Sequence, residues 1–207
     1  ITMHTEDELL TPTKGWQSTN TMHIAPVSPE NANLLQRILL WAIERFGKLK
    51  AANLWLLMMN NMRLLRGMLG FASKLMPFGE LDRRDTELAI LRVAWLCRSR
   101  YEWGQHVDIG TRAGLTEEEI RRIPEGPNAS DWTPKQRLIL KACDELISDH
   151  IVAEDTWSGL SAEFSARHQV ELLMLIGWYQ GLAGVLNSSG IPLDAELEKT
   201  LKKYTVR

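Results

Sequence analysis

Apolar residues recur at helical spacing along most of the chain, and no segment shows the period-two alternation that is typical of a half-buried strand. The first helical pattern follows Ser28-Pro29-Glu30, where Ser28 is a suitable N-cap and Pro29 a suitable first helical residue. Apolar positions then recur every three or four residues up to Gly47. The pattern predicts an all-α protein, a helical bundle of about seven or eight helices.

A second helical region covers residues 50–76 and has an unusually wide apolar surface. A helix that is apolar nearly all round is buried on several sides. Two interpretations are open: a fully internal central helix, or a helix with one side in a subunit interface. Asn60, Asn61, Arg63 and Arg66 interrupt the apolar run, whereas a membrane span needs about 20 mostly apolar residues. We therefore expect no membrane-spanning segment here.

A third helical region begins at Asp82, since acidic side chains are favoured in the first turn of a helix. The segment "TELAILRVAWLC" continues it to a break near Ser99, and "YEWGQHVDIGTRAG" resumes it as far as Gly114, a typical C-cap residue. Residues 124–132, "PEGPNASDW", are the clearest loop. A long apolar helix is predicted over residues 166–187.

The chain of 207 residues divides into three parts by composition. Residues 1–27 are polar and predict an N-terminal arm with little structure of its own. Residues 28–194 predict a single all-α domain, and residues 195–207 a charged C-terminal tail. Hydrophobic residues make up 44% of the chain and charged residues 24%, which is enough to build a core. The net charge of -2 lacks the basic excess of nucleic-acid-binding proteins, so no nucleic-acid partner is expected.

Two cysteines, Cys97 and Cys143, are too few for a disulfide framework and lack metal-ligand spacing. Both fall in apolar helical patterns, so we expect buried free thiols, which suit a reducing compartment. The N-terminus shows no charged-then-apolar signal pattern. The sequence therefore predicts a cytoplasmic protein without a membrane partner.

Glu102 and His106 are the first candidates for chemistry, because residues four apart lie on one face of a helix. Histidine has a reference pKa of about 6.5 and suits proton transfer near neutral pH. The alternative is a contact on a solvated helix face, which would stabilise the fold by only about 0.3–0.5 kcal/mol. Both interpretations remain open from the sequence alone.

Glu87 and Cys97 are further candidates around His106. Glu87 can orient His106 only if the chain turns back near residues 98–100; otherwise it simply stabilises the first turn of its helix. A Cys97–His106 nucleophile is disfavoured, because an unbroken helix would place the two side chains on opposite faces. The two-His and Glu-x-x-His patterns of metal sites do not occur, so no metal is expected.

Trp103 and Tyr101 lie in the same short stretch, "RYEWGQH". Aromatic residues at such positions are more often packing residues than ligands. Trp103 would nevertheless also fit the wall of a pocket beside His106. We keep both residues as candidates for substrate binding.

The segment 85–120, "DTELAILRVAWLCRSRYEWGQHVDIGTRAGLTEEEI", resembles the core motif of the carboxymuconolactone decarboxylase and alkylhydroperoxidase D superfamily. The segment 177–194, "GWYQGLAGVLNSSGIPLD", resembles the end of its longer members. With the helices between them, the resemblance covers most of residues 30–194. It implies an alkylhydroperoxidase D-like helical fold and a homo-oligomer, usually a trimer or hexamer, in agreement with the wide apolar surface at 50–76.

The peroxidase branch of that family carries Cys-x-x-Cys-x-x-x-His with an upstream Glu. In this chain Glu87 and His106 match the acid and the histidine, but Ser99 and Glu102 occupy the two cysteine positions. Reduction of peroxide by two thiols needs a thiolate nucleophile and a resolving thiol. We therefore expect no disulfide-based peroxidase activity.

The resemblance to the decarboxylase branch, which also lacks the two cysteines, implies a cofactor-free lyase or isomerase that acts on a lactone or an enolisable carboxylic acid. It assigns proton donation or oxyanion contact to His106, with Glu102 as an adjacent base or orienting acid and Glu87 behind it. An anionic substrate would also need a cation, for which Arg92, Arg98 and Arg100 are candidates. The alternatives are a thiol-dependent alkylhydroperoxidase-like protein and a non-catalytic helical oligomer.

Overall fold

The computed structural model describes residues 10–28, 30–47 and 52–204, and within these ranges it is built of helices without strands. Ten α-helices follow one another: α1 (Leu34–Gly47), α2 (Ala52–Met58), α3 (Met62–Ala72), α4 (Arg83–Leu96), α5 (Arg100–Arg112), α6 (Glu117–Arg122), α7 (Pro134–Asp149), α8 (Glu154–Glu163), α9 (Ala166–Ser189) and α10 (Ala195–Leu201). The prediction of an all-α bundle is confirmed.

The helix count exceeds the predicted seven or eight for local reasons. A 3-10 turn over Met59–Asn61 divides the predicted region 50–76 into α2 and α3, and Asn61 caps α3 by accepting a hydrogen bond from the Leu64 amide. The C-terminal segment adds α10. Helix α1 begins at Leu34 and not after Ser28 as predicted, because the side chains of Asn33 and Gln36 accept hydrogen bonds from each other's backbone amides at its beginning. Pro29 lies outside the described residues.

Helix α4 lies at the centre of the bundle and packs against α5, α7 and α9. Every residue from Asp85 to Ala94 is buried. Such a helix must pair its polar side chains inside the protein, because an unpaired buried charge is costly. The polar residues of α4 therefore mark places where buried interactions connect the helices.

Helices α4 and α5 form a hairpin closed by Cys97–Ser99. Arg98 adopts a left-handed conformation with φ of 51°, and the Ser99 amide donates to the Ala94 carbonyl. The chain therefore turns back at the position that an interaction between Glu87 and His106 requires.

The C-terminal segment, expected as a charged tail, forms α10 and packs against α5. Leu197 and Leu201, one turn apart, are both buried. Gly104 of α5 permits this contact, because a Cβ at this position would lie 2.5 Å from a methyl group of Leu193 and 3.1 Å from one of Leu201.

The N-terminal segment, residues 10–28, contains no helix and runs along the surface of the bundle. The amide of Gln17 donates to the Arg98 carbonyl, and the amide of His23 to the Ser189 carbonyl. Trp16 packs edge-on against Trp95 at 5.4 Å between ring centroids. Residues 1–9 lie outside the described residues.

Helix α9 is 24 residues long and is apolar enough by length and composition to cross a membrane. It also packs against α4, α5, α7 and α8, and Leu172, Leu175 and Ile176 are buried there. One face of α9 therefore packs within the bundle, while 33% of its apolar window is buried in all.

We expect the Arg92→Met variant to lose about 2–4 kcal/mol of unfolding free energy. Arg92 donates to both oxygens of Asp144 at 2.6 and 2.9 Å and to the Ile123 carbonyl at 2.7 Å. Its removal leaves these acceptors unpaired at the α4–α7 contact. Urea unfolding measures the loss.

The matched control is Arg167→Met, which removes an ion pair with Glu80 whose partners are 79% and 48% exposed. Exposed pairs contribute less than about 1 kcal/mol. Equal stability of the Arg92→Met variant and the wild type would contradict the structural role of Arg92.

Candidate active site

Glu87 and His106 meet in the buried interface between α4 and α5. His106 Nδ1 lies 2.7 Å from Glu87 Oε2, and the side chains are 2% and 0% exposed. The two residues are 19 positions apart in sequence and are joined by the hairpin at Cys97–Ser99. The hypothesis that Glu87 orients His106 agrees with this geometry.

Arg83 extends the pair on the side of Glu87. Its Nη2 lies 3.0 Å from Glu87 Oε1, which makes the two an ion pair. The contact does not have hydrogen-bond geometry, since Glu87 Oε1 is buried without a hydrogen-bond partner. Arg83 Nη1 is also buried without one. The carboxylate therefore lies between a guanidinium and an imidazole. A carboxylate next to Nδ1 favours the neutral imidazole tautomer in which Nδ1 carries the proton. Nε2 is then unprotonated and can accept a proton.

Glu102 is 1% exposed, and neither carboxyl oxygen has a hydrogen-bond partner in the described part of the chain. The expected contact between Glu102 and His106 is therefore not formed, since His106 binds Glu87 instead. Burial raises the pKa of Glu102 well above its usual value. Glu102 is therefore a buried carboxyl group and does not lie on a solvated face.

Ser99 and Glu102 have the sequence spacing of a capping box but do not form one. Ser99 is the N-cap of α5 and makes no capping hydrogen bond, and its hydroxyl is buried without a partner among the described residues. The same spacing at Thr116 and Glu119 does give a complete capping box at α6. The side-chain oxygens of Ser99 and Glu102 therefore make no hydrogen bond to the backbone at the beginning of α5.

Tyr179 of α9 completes the surroundings of His106. The two rings meet edge to face, with 5.1 Å between centroids. Burial, followed by the charges of Glu87 and Glu102, raises the pKa of Tyr179 well above its usual value. Its hydroxyl therefore keeps its proton.

Cys97 lies at the end of α4, close enough to Glu102 to be affected by its charge. Burial, with a contribution from Glu102, raises the pKa of the Cys97 thiol to about 12. A catalytic thiol needs a lowered pKa. Burial also raises the pKa of Cys143, so neither thiol has the lowered pKa of a catalytic cysteine.

The three candidates for substrate binding contact other parts of the chain. Trp103 packs against Trp95 with 5.2 Å between ring centroids. The Tyr101 hydroxyl donates to Asp194 at 2.7 Å and accepts from the Leu54 amide at 2.9 Å. Arg98 donates to the Lys14 carbonyl at 3.1 Å. None of these contacts is with Glu87, Glu102 or His106, and the proposed binding roles stay predictions.

The other two candidate cations also have partners. Arg92 holds Asp144, as described above, and Arg100 forms a bidentate ion pair with Glu198, with 2.7 Å between Nη2 and Oε2. Arg83 is therefore the cation nearest to the Glu87–His106 pair. Within residues 10–28, 30–47 and 52–204, no three His, Cys, Asp or Glu side chains are grouped so that they could hold a metal ion.

Residues 63–145, which include Glu87, Ser99, Glu102 and His106, match the model of the carboxymuconolactone decarboxylase family. The fold is similar to that of a peroxidase-related protein from Ralstonia eutropha JMP134 with an alkylhydroperoxidase AhpD core, with a TM-score of 0.74 at 15% identity, covering 86% of this chain and 96% of that one. Residues 63–145 are therefore similar to the carboxymuconolactone decarboxylase family, and the fold is alkylhydroperoxidase D-like.

Other solved structures share this fold. The debrominase Bmp8 in complex with 2,3,4-tribromopyrrole has a TM-score of 0.73 at 16% identity, covering 90% of this chain and 99% of that one. A peroxidase-related protein from Silicibacter sp. TM1040 has a TM-score of 0.70 at 14% identity, covering 91% and 96%. No curated protein matches the chain in sequence.

Sequence reasoning missed Arg83 and Tyr179. Arg83 precedes Glu87 by one helical turn, a spacing that permits an ion pair, and this could have been noticed. Tyr179 lies within the long apolar helix α9 and is indistinguishable there from a packing residue. Only the packing of α9 against α4 and α5 places it beside His106.

We expect the Glu102→Gln variant to become increasingly more stable than the wild type as the pH rises from 5 to 7. The folded-state pKa is raised above the ordinary 4.5. Above pH 4.5 the unfolded chain therefore releases a proton that the folded chain keeps. The unfolding free energy of the wild type then falls by up to about 1.4 kcal/mol per pH unit. The variant does not show this decrease, because glutamine does not titrate.

Urea unfolding at several pH values checks this difference, with Glu163→Gln, at an exposed position on α8, as the control. A stability difference independent of pH would show that Glu102 is ionised in the folded protein.

We also expect Cys97 to react about a thousand times more slowly with an aromatic disulfide at pH 8 than an unperturbed thiol does, because a pKa near 12 leaves so little thiolate. The Cys143→Ala variant isolates Cys97, and the same variant in urea provides the reference rate. Rapid labelling of the folded variant would restore the thiol-dependent alternative.

Proposed function

We propose that the chain is a cofactor-free acid–base enzyme of the lyase or isomerase type, which acts on a lactone or an enolisable carboxylic acid through His106. The observation that carries this proposal is the buried 2.7 Å hydrogen bond between Glu87 and His106. A carboxylate that fixes an imidazole by its Nδ1 prepares Nε2 for proton transfer.

The roles follow from the contacts of each side chain. His106 takes a proton from carbon and later returns one. Glu87 is a positioning residue that fixes the ring and stabilises the imidazolium formed during the reaction. Arg83 pairs with Glu87 on its other side and holds the carboxylate in place.

The thiol-dependent alternative has little support in this chain. Ser99 and Glu102 stand where the peroxidase branch carries its cysteines, and Cys97 has a raised pKa. From the debrominase neighbour we take only that this fold can hold a small ring compound. A ring lactone is a substrate of comparable size.

We also propose that the protein is a cytoplasmic homo-oligomer, a trimer or hexamer, without a membrane or nucleic-acid partner. Apolar side chains exposed on the single chain support the assembly: Leu34, Leu35 and Ile38 of α1 are 74%, 54% and 52% exposed. A groove of about 380 Å³ between α3 and α9 is lined almost entirely by apolar residues. Contiguous apolar surface of this kind marks interaction sites.

A non-catalytic helical oligomer is the second candidate function, and one observation favours it. Glu87, Glu102 and His106 are nearly inaccessible in the single chain. The apolar groove lies between α3 and α9, and a polar cavity of about 170 Å³ is lined by Tyr101, Arg100 and residues near the end of α9. Neither is lined by the three candidate catalytic residues.

Hydrogen–deuterium exchange at carbon distinguishes the two candidates. The protein is incubated in D₂O with a panel of unsaturated lactones and β-keto acids, and deuterium incorporation is followed by NMR. We expect catalysed exchange to fall about 100-fold or more in His106→Gln, since general acid–base catalysis contributes about 10²–10⁴ in rate. A smaller loss is expected in Glu87→Gln, which keeps the side-chain shape but loses the charge.

The matched control is His168→Gln at the beginning of α9, which we expect to exchange at the wild-type rate. Exchange by His106→Gln at the wild-type rate would contradict the proposed role of His106. Circular dichroism of each variant establishes that the fold is intact.

A further inference from the structure

Three polar atoms at the beginning of α5 are buried without hydrogen-bond partners in the described part of the chain: Ser99 Oγ, Glu102 Oε1 and Glu102 Oε2. Their residues are 0% and 1% exposed. Buried polar groups in native proteins are nearly always paired, so each exception needs an explanation. Here three exceptions occur together, with Glu102 one turn and Ser99 about two turns from His106.

The local backbone explains why the helix itself does not use them. In a capping box the Glu side chain accepts from the N-cap amide. The Ser99 amide instead donates to the Ala94 carbonyl, as part of the tight α4–α5 turn. The Ser99 amide is therefore not available to the Glu102 carboxyl group. The unpaired atoms are a consequence of the hairpin that brings Glu87 to His106.

The surroundings of these atoms disfavour negative charge. Burial without an ion-pair partner favours the protonated form of a carboxyl group, and burial raises the pKa values of Glu102 and of its neighbours Cys97 and Tyr179. Arg83 is paired with Glu87. The Ser99 hydroxyl and the Glu102 carboxylic acid are therefore hydrogen-bond donors in a water-poor environment, where donors act most strongly on developing negative charge.

We propose that Ser99 and Glu102 donate hydrogen bonds to the carbonyl oxygen of the substrate whose neighbouring carbon is deprotonated by His106. This rests on the proposed function, and it narrows the substrate class to carbonyl compounds with an acidic C–H beside the carbonyl group, such as a lactone, an ester or a ketone. Within the described part of the chain Ser99 and Glu102 have no hydrogen-bond or ion-pair partner, so they suit a neutral carbonyl oxygen that becomes negatively charged only during the reaction.

The position of the donors fits this step. Glu102 and His106 are one turn apart on the same face of α5, which corresponds to about 5–6 Å between their Cβ atoms. This separation is compatible with a carbonyl oxygen near Glu102 and the adjacent carbon near His106, and a substrate must enter between the packed helices to reach them, because the two residues are 1% and 2% exposed. The N-terminal end of the 13-residue α5 adds a partial positive charge on the side of the oxygen.

The step balances without a further reactant. His106 Nε2 takes the proton from carbon, and the C–H electron pair forms a C=C bond. The carbonyl π electrons move to oxygen, and the oxyanion accepts hydrogen bonds from Ser99 Oγ–H and the Glu102 carboxyl O–H, which keep their protons. Return of the proton from His106 to the same or a conjugated carbon completes an isomerisation.

Binding of substituted phenols tests the oxygen site, because a phenolate resembles an enolate in charge and geometry. A series with pKa values between about 5 and 10 is titrated into the intact protein, and the phenolate absorbance gives the Kd. We expect Ser99→Ala to weaken binding about 5- to 20-fold and Glu102→Leu about 10- to 100-fold. Glu102→Gln, which keeps an N–H donor, should bind within about fivefold of the wild type.

The dependence of log Kd on phenol pKa separates hydrogen bonding from a structural effect. We expect this slope to decrease in Ser99→Ala and in Glu102→Leu. The matched control is Ser189→Ala, which removes another buried serine whose hydroxyl is already paired with the Leu186 carbonyl. It should leave both Kd and slope unchanged. Ser99→Ala removes an unpaired hydroxyl, so it should not reduce the thermal stability of the protein.

The outcomes distinguish this inference from the proposed function. His106→Gln should still bind phenolates within about threefold of the wild type, although it loses exchange at carbon. Loss of exchange in His106→Gln together with wild-type phenolate binding by Ser99→Ala and Glu102→Leu would overturn the oxygen site and leave the function intact. Failure of the wild type to bind any phenol would also overturn the oxygen site.

Discussion

The hydrogen bond between Glu87 and His106 constrains the rest of this protein, because both partners are buried in the contact between its two most central helices. A carboxylate inside a protein needs compensating partners. Here they are Arg83 from the preceding turn and His106 from the next helix. The α4–α5 hairpin must close tightly for this pair to form. That requirement fixes the left-handed residue Arg98 and the hydrogen bond from Ser99 to Ala94.

The tight turn leaves the side chains of Ser99 and Glu102 without the hydrogen bonds of a capping box. Their spacing would normally stabilise the beginning of a helix, as the complete capping boxes at Thr116 and Thr133 do. At α5 the cap is lost, and a carboxyl group is buried without a partner. Local rules of this kind are broken most often at functional sites, where another requirement outweighs stability. The contrast within one chain is the strongest structural argument that the beginning of α5 is kept for a ligand.

Much of this arrangement follows from the sequence, and the remainder depends on packing. Helical periodicity predicted the all-α fold, and the pairing of Glu87 with His106 followed once a turn near residues 98–100 was assumed. The expected Glu102–His106 pair was wrong, because i, i+4 spacing makes a contact possible without deciding between competing partners. Tyr179 is 73 residues from His106 in the sequence, and only the packing of α9 brings the two rings together. The helix α10 was missed because its two buried leucines stand among charged residues.

The two glutamates illustrate how one fold can give the same side chain two environments. Glu87 has a guanidinium and an imidazole as neighbours, whereas Glu102 has no hydrogen-bond partner in the described part of the chain, and burial raises its pKa. Separating the properties of two like groups by their surroundings is how proteins assign acid and base roles near neutral pH. If the positions of Ser99 and Glu102 carried two thiols, the same hairpin would present a redox pair to the same histidine. In the proposed function the scaffold places the histidine that transfers the proton, and the residues at positions 99 and 102 select the chemistry that accompanies that transfer.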